Sequence, residues 1–233
     1  MRTLVITGAS RGIGMATARE FATAGWRVLN IARRPCALEG VCNVHADLAD
    51  PAWVDAHGAA IREAVAGSSR IALVHNAALL THDSIADVTQ AVFREVLQVN
   101  LLACVQLNQL LLERMLPGSS IIYVGSTLAT KAVPGSCAYV ASKHALVGLM
   151  RAGVQDLAGR DIHSACVCPG FTDTEMLREH IGEEPEVRET IAAGISFGRL
   201  LQPEEIARVI AFCADNPALN GALIHANLGQ IER

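Results

Sequence analysis

The stretch Thr3-Leu4-Val5-Ile6-Thr7-Gly8-Ala9-Ser10-Arg11-Gly12-Ile13-Gly14 decides how the rest of this chain is read. It opens with an apolar, β-branched run, Thr3 to Thr7, the composition of a buried strand. The glycine-rich part follows, and Met15 to Ala24 then has helix-forming composition. Strand, glycine turn and helix in that order aim free backbone N–H groups at a phosphate. Gly8 permits the tight turn, Gly12 lets the backbone approach a pyrophosphate, and Gly14 lets the helix pack close to the sheet. The spacing is Gly-x-x-x-Gly-x-Gly, not the Gly-x-Gly-x-x-Gly of the common dinucleotide fingerprint. The plainer alternative is a βα turn that merely needs glycine.

Downstream, apolar runs alternate with helix-length segments. Strands are expected near 3–7, 27–32, 41–45, 70–75, 119–125, 162–168 and 222–226, and helices near 13–24, 52–65, 89–116, 137–158 and 203–214. Continuous rather than alternating hydrophobicity, as in Ile71-Ala72-Leu73-Val74, fits a parallel sheet covered on both faces. The expectation is a single α/β domain over residues 1–233: a doubly wound, Rossmann-like parallel sheet of about seven strands with helices on both faces. Ligands of such sheets lie beyond the carboxyl ends of the strands. Gly8, Asn76, Ser126 and Pro169 each follow a predicted strand. Thr172 to Phe197 is mixed and interrupted by Gly182 and Gly194. Residues 171–197 read as a substrate lid, or else as a plain surface excursion.

Tyr139 and Lys143 are four residues apart in Tyr-Val-Ala-Ser-Lys, and Ser126 lies thirteen residues before the tyrosine. One helical turn would put phenol and ammonium on one face. A cation beside a phenol favours phenolate, which suits proton transfer near neutral pH. Ser126 could donate a hydrogen bond to the same reacting oxygen. Alone, the pair could be a chance one on a solvated helix face.

Together these motifs resemble the short-chain dehydrogenase/reductase family from residue 3 to about residue 229. Its glycine motif stands here as Thr7 to Gly14, and its Asn-Asn-Ala-Gly element as His75-Asn76-Ala77-Ala78. Its active-site asparagine, serine and Tyr-x-x-x-Lys pair match Asn100, Ser126, Tyr139 and Lys143. Its Pro-Gly element is Pro169-Gly170-Phe171-Thr172-Asp173-Thr174. The resemblance implies hydride transfer between a nicotinamide dinucleotide and a carbonyl or alcohol carbon. Tyr139 would be the proton donor and Ser126 a second donor to the oxygen. Lys143 would contact the nicotinamide ribose, and Asn100 would hold a water linking Lys143 to solvent. Asn100 could instead cap or kink its helix. Ser10, Arg11, Ile13 and Ala77 join the glycines and Asn76 in the implied cofactor site, with Pro169, Gly170, Thr172 and Thr174 beside the nicotinamide amide. His75 and Ala78 depart from the pattern, as does Asn227-Leu228-Gly229, where relatives often show Asp-Gly-Gly.

The second strand ends in Ile31-Ala32-Arg33-Arg34. An acid there would bond a ribose 2′-hydroxyl and repel a 2′-phosphate. Ala32 stands in that place, and Arg33 with Arg11 offers two guanidinium groups to a phosphate. NADP(H) is therefore the expected cofactor, unless Arg33 and Arg34 are only solvated loop charges. Asp47-Leu48 resembles the family's adenine-contacting pair; the lesser alternative is that Asp47 is a helix N-terminal residue before Pro51. The run Gly198-Arg199-Leu200 with Gln202-Pro203-Glu204-Glu205 resembles the family's 3-oxoacyl-carrier reductases. The resemblance leaves two other uses of the scaffold open: a non-catalytic nucleotide sensor, and an epimerase or dehydratase.

Composition narrows the partners. A net charge of −4 shows no electrostatic footprint for nucleic acid or anionic membrane. The apolar share of 51% against 18% charged implies a large core and further surface buried between subunits. The helices near 89–116 and 137–158 would supply that surface in a homotetramer or homodimer. No apolar run approaches the roughly 18 residues of a membrane span, and with a strand predicted from the third residue no signal peptide is expected. The seven cysteines read as buried small side chains in a reducing compartment, hence the cytoplasm. Successive strand residues in Cys166-Val167-Cys168 point to opposite faces. The eight histidines show no metal-like pairing, so no metal is expected.

Overall fold

A computed structural model describes residues 1–182 and 184–231 of the chain. Seven strands form one all-parallel sheet in the order β3-β2-β1-β4-β5-β6-β7. They are β1 (Arg2–Thr7), β2 (Arg27–Ala32), β3 (Cys42–His45), β4 (Arg70–His75), β5 (Ser120–Val124), β6 (His163–Pro169) and β7 (Leu223–Ala226). The helices are α1 (Gly12–Thr23), α2 (Trp53–Ala64), α3 (Gln90–Leu97), α4 (Ala103–Leu111), α5 (Cys137–Asp156), α6 (Glu175–Ile181), α7 (Pro185–Ala193) and α8 (Pro203–Asp215).

The period of two along each strand divides the core into two layers. From β1, Val5 joins Leu73, Leu107, Leu111, Leu146 and Met150 under α2, α4 and α5. Leu4 and Ile6 join Ala18, Phe21, Ile206 and Ile210 under α1 and α8 on the opposite face. Each fully buried aliphatic side chain contributes about 1.5–3 kcal/mol. Aliphatic bulk on both faces thus holds the doubly wound sheet that the strand pattern predicts.

The chain turns left and right from β1, to β2 on one side and β4 on the other. That reversal opens a crevice at the carboxyl ends of these strands. Gly8 lies there with φ +73° and Gly12 with φ +54°, backbone that L side chains rarely adopt. Gly14 answers a different need. A Cβ on it would stand 2.2 Å from the Gly8 carbonyl oxygen, so only glycine lets α1 approach the turn this closely.

The segment 89–116 differs from the single helix expected. A π-helical turn, Gln98–Leu102, separates α3 from α4. Gln90–Arg114 is also the one described segment long and apolar enough, by length and composition, to cross a membrane, against the expectation of none. Its amides point inward within the fold: Gln98 Nε2 donates to the Leu48 carbonyl at 3.2 Å, and Asn108 Nδ2 to the Tyr123 hydroxyl at 2.7 Å.

The cysteines also depart in part from expectation: Cys42 is exposed and Cys137 half-buried, while the other five are buried. Residues two apart on a strand share a face, so Cys166 and Cys168 lie with sulfurs 3.8 Å apart. A Cβ on Gly125 would come within 2.8 Å of both, so the dithiol fills space that glycine leaves at the end of β5.

Candidate active site

A cavity of about 1290 Å³ opens at the carboxyl ends of the strands. Every residue expected to touch a dinucleotide lines it: Gly8, Ser10, Arg11, Gly12, Ile13 and Gly14 from the glycine turn, and Arg33, Asp47 and Leu48 from beyond β2 and β3. Asn76, Ala77, Pro169, Gly170, Thr172 and Thr174 close it from the other strands. Ser126, Tyr139 and Lys143 line the same cavity.

Asn76 ties two of these turns together. Its Nδ2 donates to the carbonyls of Thr7 and Gly8 at 2.9 and 3.0 Å. The backbone N–H groups of Asn76 and Ala77 both donate to the Thr7 hydroxyl at 3.0 Å. Asn30, absent from the sequence reading, supports the same turn from β2. It is fully buried, accepts from the Ala9 N–H at 2.9 Å and donates to Asn43 Oδ1 at 2.8 Å. The signal for it is an amide in the middle of an otherwise apolar strand.

Ser126 begins a single helical turn after β5, and its hydroxyl accepts from the Leu128 N–H at 3.1 Å. Tyr139 and Lys143 project from α5, and the lysine Nζ lies 5.4 Å from the tyrosine ring centroid. Lys143 is 2% exposed and donates to the Val124 carbonyl at 2.8 Å, a single tie for an ammonium with three donors.

Asn100 does not line the cavity. It lies in the π-turn, where Oδ1 accepts from the Leu79 N–H at 2.7 Å and Nδ2 donates to the Leu79 carbonyl at 3.0 Å and Ser142 Oγ at 2.9 Å. Ser142 Oγ in turn donates to the Tyr139 carbonyl at 2.7 Å. The side chain therefore clamps the loop after β4 to the helix bearing Tyr139. Both Nδ2 protons are thereby engaged, while Oδ1 keeps a second lone pair.

His75, where the family's pattern has an asparagine, makes its contacts beneath the sheet's end. Its Nε2 donates to Asn108 Oδ1 at 2.7 Å, and its ring stacks on Tyr123 at 4.8 Å between centroids. Its Nδ1 is buried without a partner among the described residues, and burial pushes its pKa down to about 4. Ala78 lines the cavity half-buried.

The segment after β6 contains two helices that the sequence reading did not resolve, because Gly182 and Gly194 end them after two turns or so. Of this segment, Phe171, Met176, Leu177 and His180 line the cavity, and Ile181 does not. Asp173 anchors the segment through Arg178 at 2.6 Å and Arg188 at 2.9 Å. His180 stacks flat on His82 at 4.0 Å, and burial holds its pKa below the usual imidazole range. Arg11 is already engaged here, bound by both guanidinium nitrogens to Glu179 at 2.5 and 3.1 Å. The Gly198–Glu205 run is structural: Arg199 grips Glu205 at 2.7 and 2.8 Å, and Glu205 Oε2 accepts from the Gln202 N–H at the start of α8.

Residues 8–230 match the family model described as enoyl-(acyl carrier protein) reductase. The chain belongs to the short-chain dehydrogenase/reductase family. It is a nicotinamide-dependent oxidoreductase acting between carbonyl and alcohol. It is 33% identical to Protein FixR of Bradyrhizobium diazoefficiens, over 98% of this chain and 86% of that one. It is 29% identical to the 3-oxoacyl-[acyl-carrier-protein] reductase FabG of Escherichia coli, over 97% and 95%. A short-chain dehydrogenase from Burkholderia cenocepacia, solved in complex with NADP, superposes with a TM-score of 0.85 at 27% identity, covering 97% and 96%.

Proposed function

We propose that the protein reduces a ketone, of the 3-oxoacyl or a similar partly apolar class, with NADPH, or oxidises the matching alcohol with NADP. The observation that carries this is the convergence of Ser126, Tyr139 and Lys143 on the cavity that the glycine turn lines. When bound, the nicotinamide supplies or takes the hydride. Tyr139 gives its proton to the substrate oxygen in reduction and takes it back in oxidation. Ser126 donates a hydrogen bond to that oxygen. Lys143, buried and tied to Val124, has two further donors to offer to the ribose. Asn100 is a positioning residue that fixes α5 against the loop after β4.

Two features support the phosphorylated cofactor. Ala32 stands where an acid would repel a 2′-phosphate, and Arg33 and Arg34 line the cavity without an ion pair among the described residues. The positive-φ glycines and the Gly14 contact give the backbone the close approach a pyrophosphate needs. The Escherichia coli relative's name supports the substrate class, as do Phe171, Met176 and Leu177 along the wall. Residues 171–197 form the lid over one domain. The enzyme works in the cytoplasm on a small molecule, without nucleic acid or membrane, as a homotetramer or homodimer that covers Leu102 and Phe212, now 47% and 61% exposed.

The test follows NADPH absorbance with ketones, oxoacyl thioesters and sugars, using wild type and Tyr139→Phe. The variant is expected to lose roughly 10²–10⁴ in turnover while still binding NADPH. Near wild-type turnover would exclude Tyr139 as donor. Wild-type binding of NADPH with no net consumption would favour the epimerase or sensor instead.

A further inference from the structure

The face of α6 turned toward the glycine turn is acidic. Glu175 and Glu179 are one helical turn apart and so lie on one side of the helix. Glu175 Oε2 is 3.7 Å from the point where a Cβ on Gly12 would stand. Glu179 holds Arg11 in a two-bond fork, 2.5 and 3.1 Å, with the arginine side chain 33% exposed and the glutamate 62% exposed. This is the geometry by which arginine grips either a carboxylate or a phosphate, and the same donors cannot serve both at once. The charge of Arg34 also reaches Glu179 and helps to hold its carboxyl below the usual range, after the larger effect of the Arg11 hydrogen bond.

We propose that Glu179 competes with the cofactor's 2′-phosphate for Arg11 and thereby sets how strongly the enzyme prefers NADP(H) over NAD(H). The inference rests on the NADP(H) reading above. Binding the phosphate exchanges one anion for another on Arg11, so part of its attraction is spent on displacing Glu179. NAD(H) carries no group that calls for the exchange. Glu179 therefore lowers the selectivity that Arg11 and Arg33 would otherwise give.

Calorimetric titration of NADPH and NADH into wild type, Glu179→Gln, Arg11→Ala and the double variant tests this without recourse to turnover. Glu179 is exposed and glutamine keeps its size, so the fold is not at risk. Glu179→Gln is expected to tighten NADPH by about fivefold, the scale of an exposed ion pair, and to leave NADH unchanged. In the Arg11→Ala background the same substitution is expected to do nothing. Unchanged NADPH affinity in Glu179→Gln, or equal tightening of both dinucleotides, overturns the inference while leaving the NADP(H) reading intact. A wild type that prefers NADH overturns both.

Discussion

On the sheet side of the cavity, Asn100, Ser142 and Lys143 are each at most 2% exposed, and their bonds run to backbone N–H and carbonyl groups or to one another. On the lid side, Arg11 meets Glu179, Arg178 and Arg188 meet Asp173, and His180 stacks on His82. These are side-chain contacts between partly exposed groups. Buried bonds to backbone are costly to leave unmade, so the sheet side has one arrangement. Exposed ion pairs are worth about 0–1 kcal/mol each and open readily. The first kind of contact thus fixes geometry, and the second leaves its groups free to exchange partners.

Substitutions on the two sides should separate stability from selectivity. The largest stability effect is expected at Asn100, where Asn100→Ala leaves the part-buried N–H and carbonyl of Leu79 without their partner and removes a donor from the buried Ser142. Urea denaturation should show a loss of about 3 kcal/mol. A loss below about 1 kcal/mol, the worth of one ordinary hydrogen bond, would mean the clamp is not what holds α5.

Next comes the pH dependence of the buried His75. Its folded pKa, about 4, lies below its ordinary value of 6.5, so the unfolded chain binds a proton that the folded one refuses. Its stability contribution is complete above about pH 6.5 and falls away toward pH 4, at roughly 1.4 kcal/mol per unit. From pH 7 to pH 5, wild type should lose about 2 kcal/mol more than His75→Asn. Parallel curves for the two proteins would remove His75 as the cause.

The smallest effect belongs to the rim. Arg33→Ala should leave the denaturation midpoint in place and lower the NADPH-to-NADH ratio of kcat/KM about tenfold, the scale of one lost charged hydrogen bond. A fall in stability without a change in ratio would erase the contrast between the two sides.

Most of the sheet was legible because its strands are continuous apolar runs, and β2 and β4 were read to the residue as 27–32 and 70–75. The helices α6 and α7 were not, because they are short, half-exposed and lack a periodic apolar face. The π-turn was missed for another reason. It depends on what Asn100 meets across space at Leu79 and Ser142, and local sequence does not record that.

The order of the motifs determined the doubly wound sheet, the glycine turn and the arrival of Ser126, Tyr139 and Lys143 at one cavity, since strand period and glycine's freedom act over a few neighbouring residues. Only the tertiary structure decided that Asn100 is a clamp, that His75 is stacked and kept neutral, and that Arg11 is already held by a carboxylate 168 residues away. Those outcomes turn on burial and on which charge lies opposite, and both are set when distant segments meet.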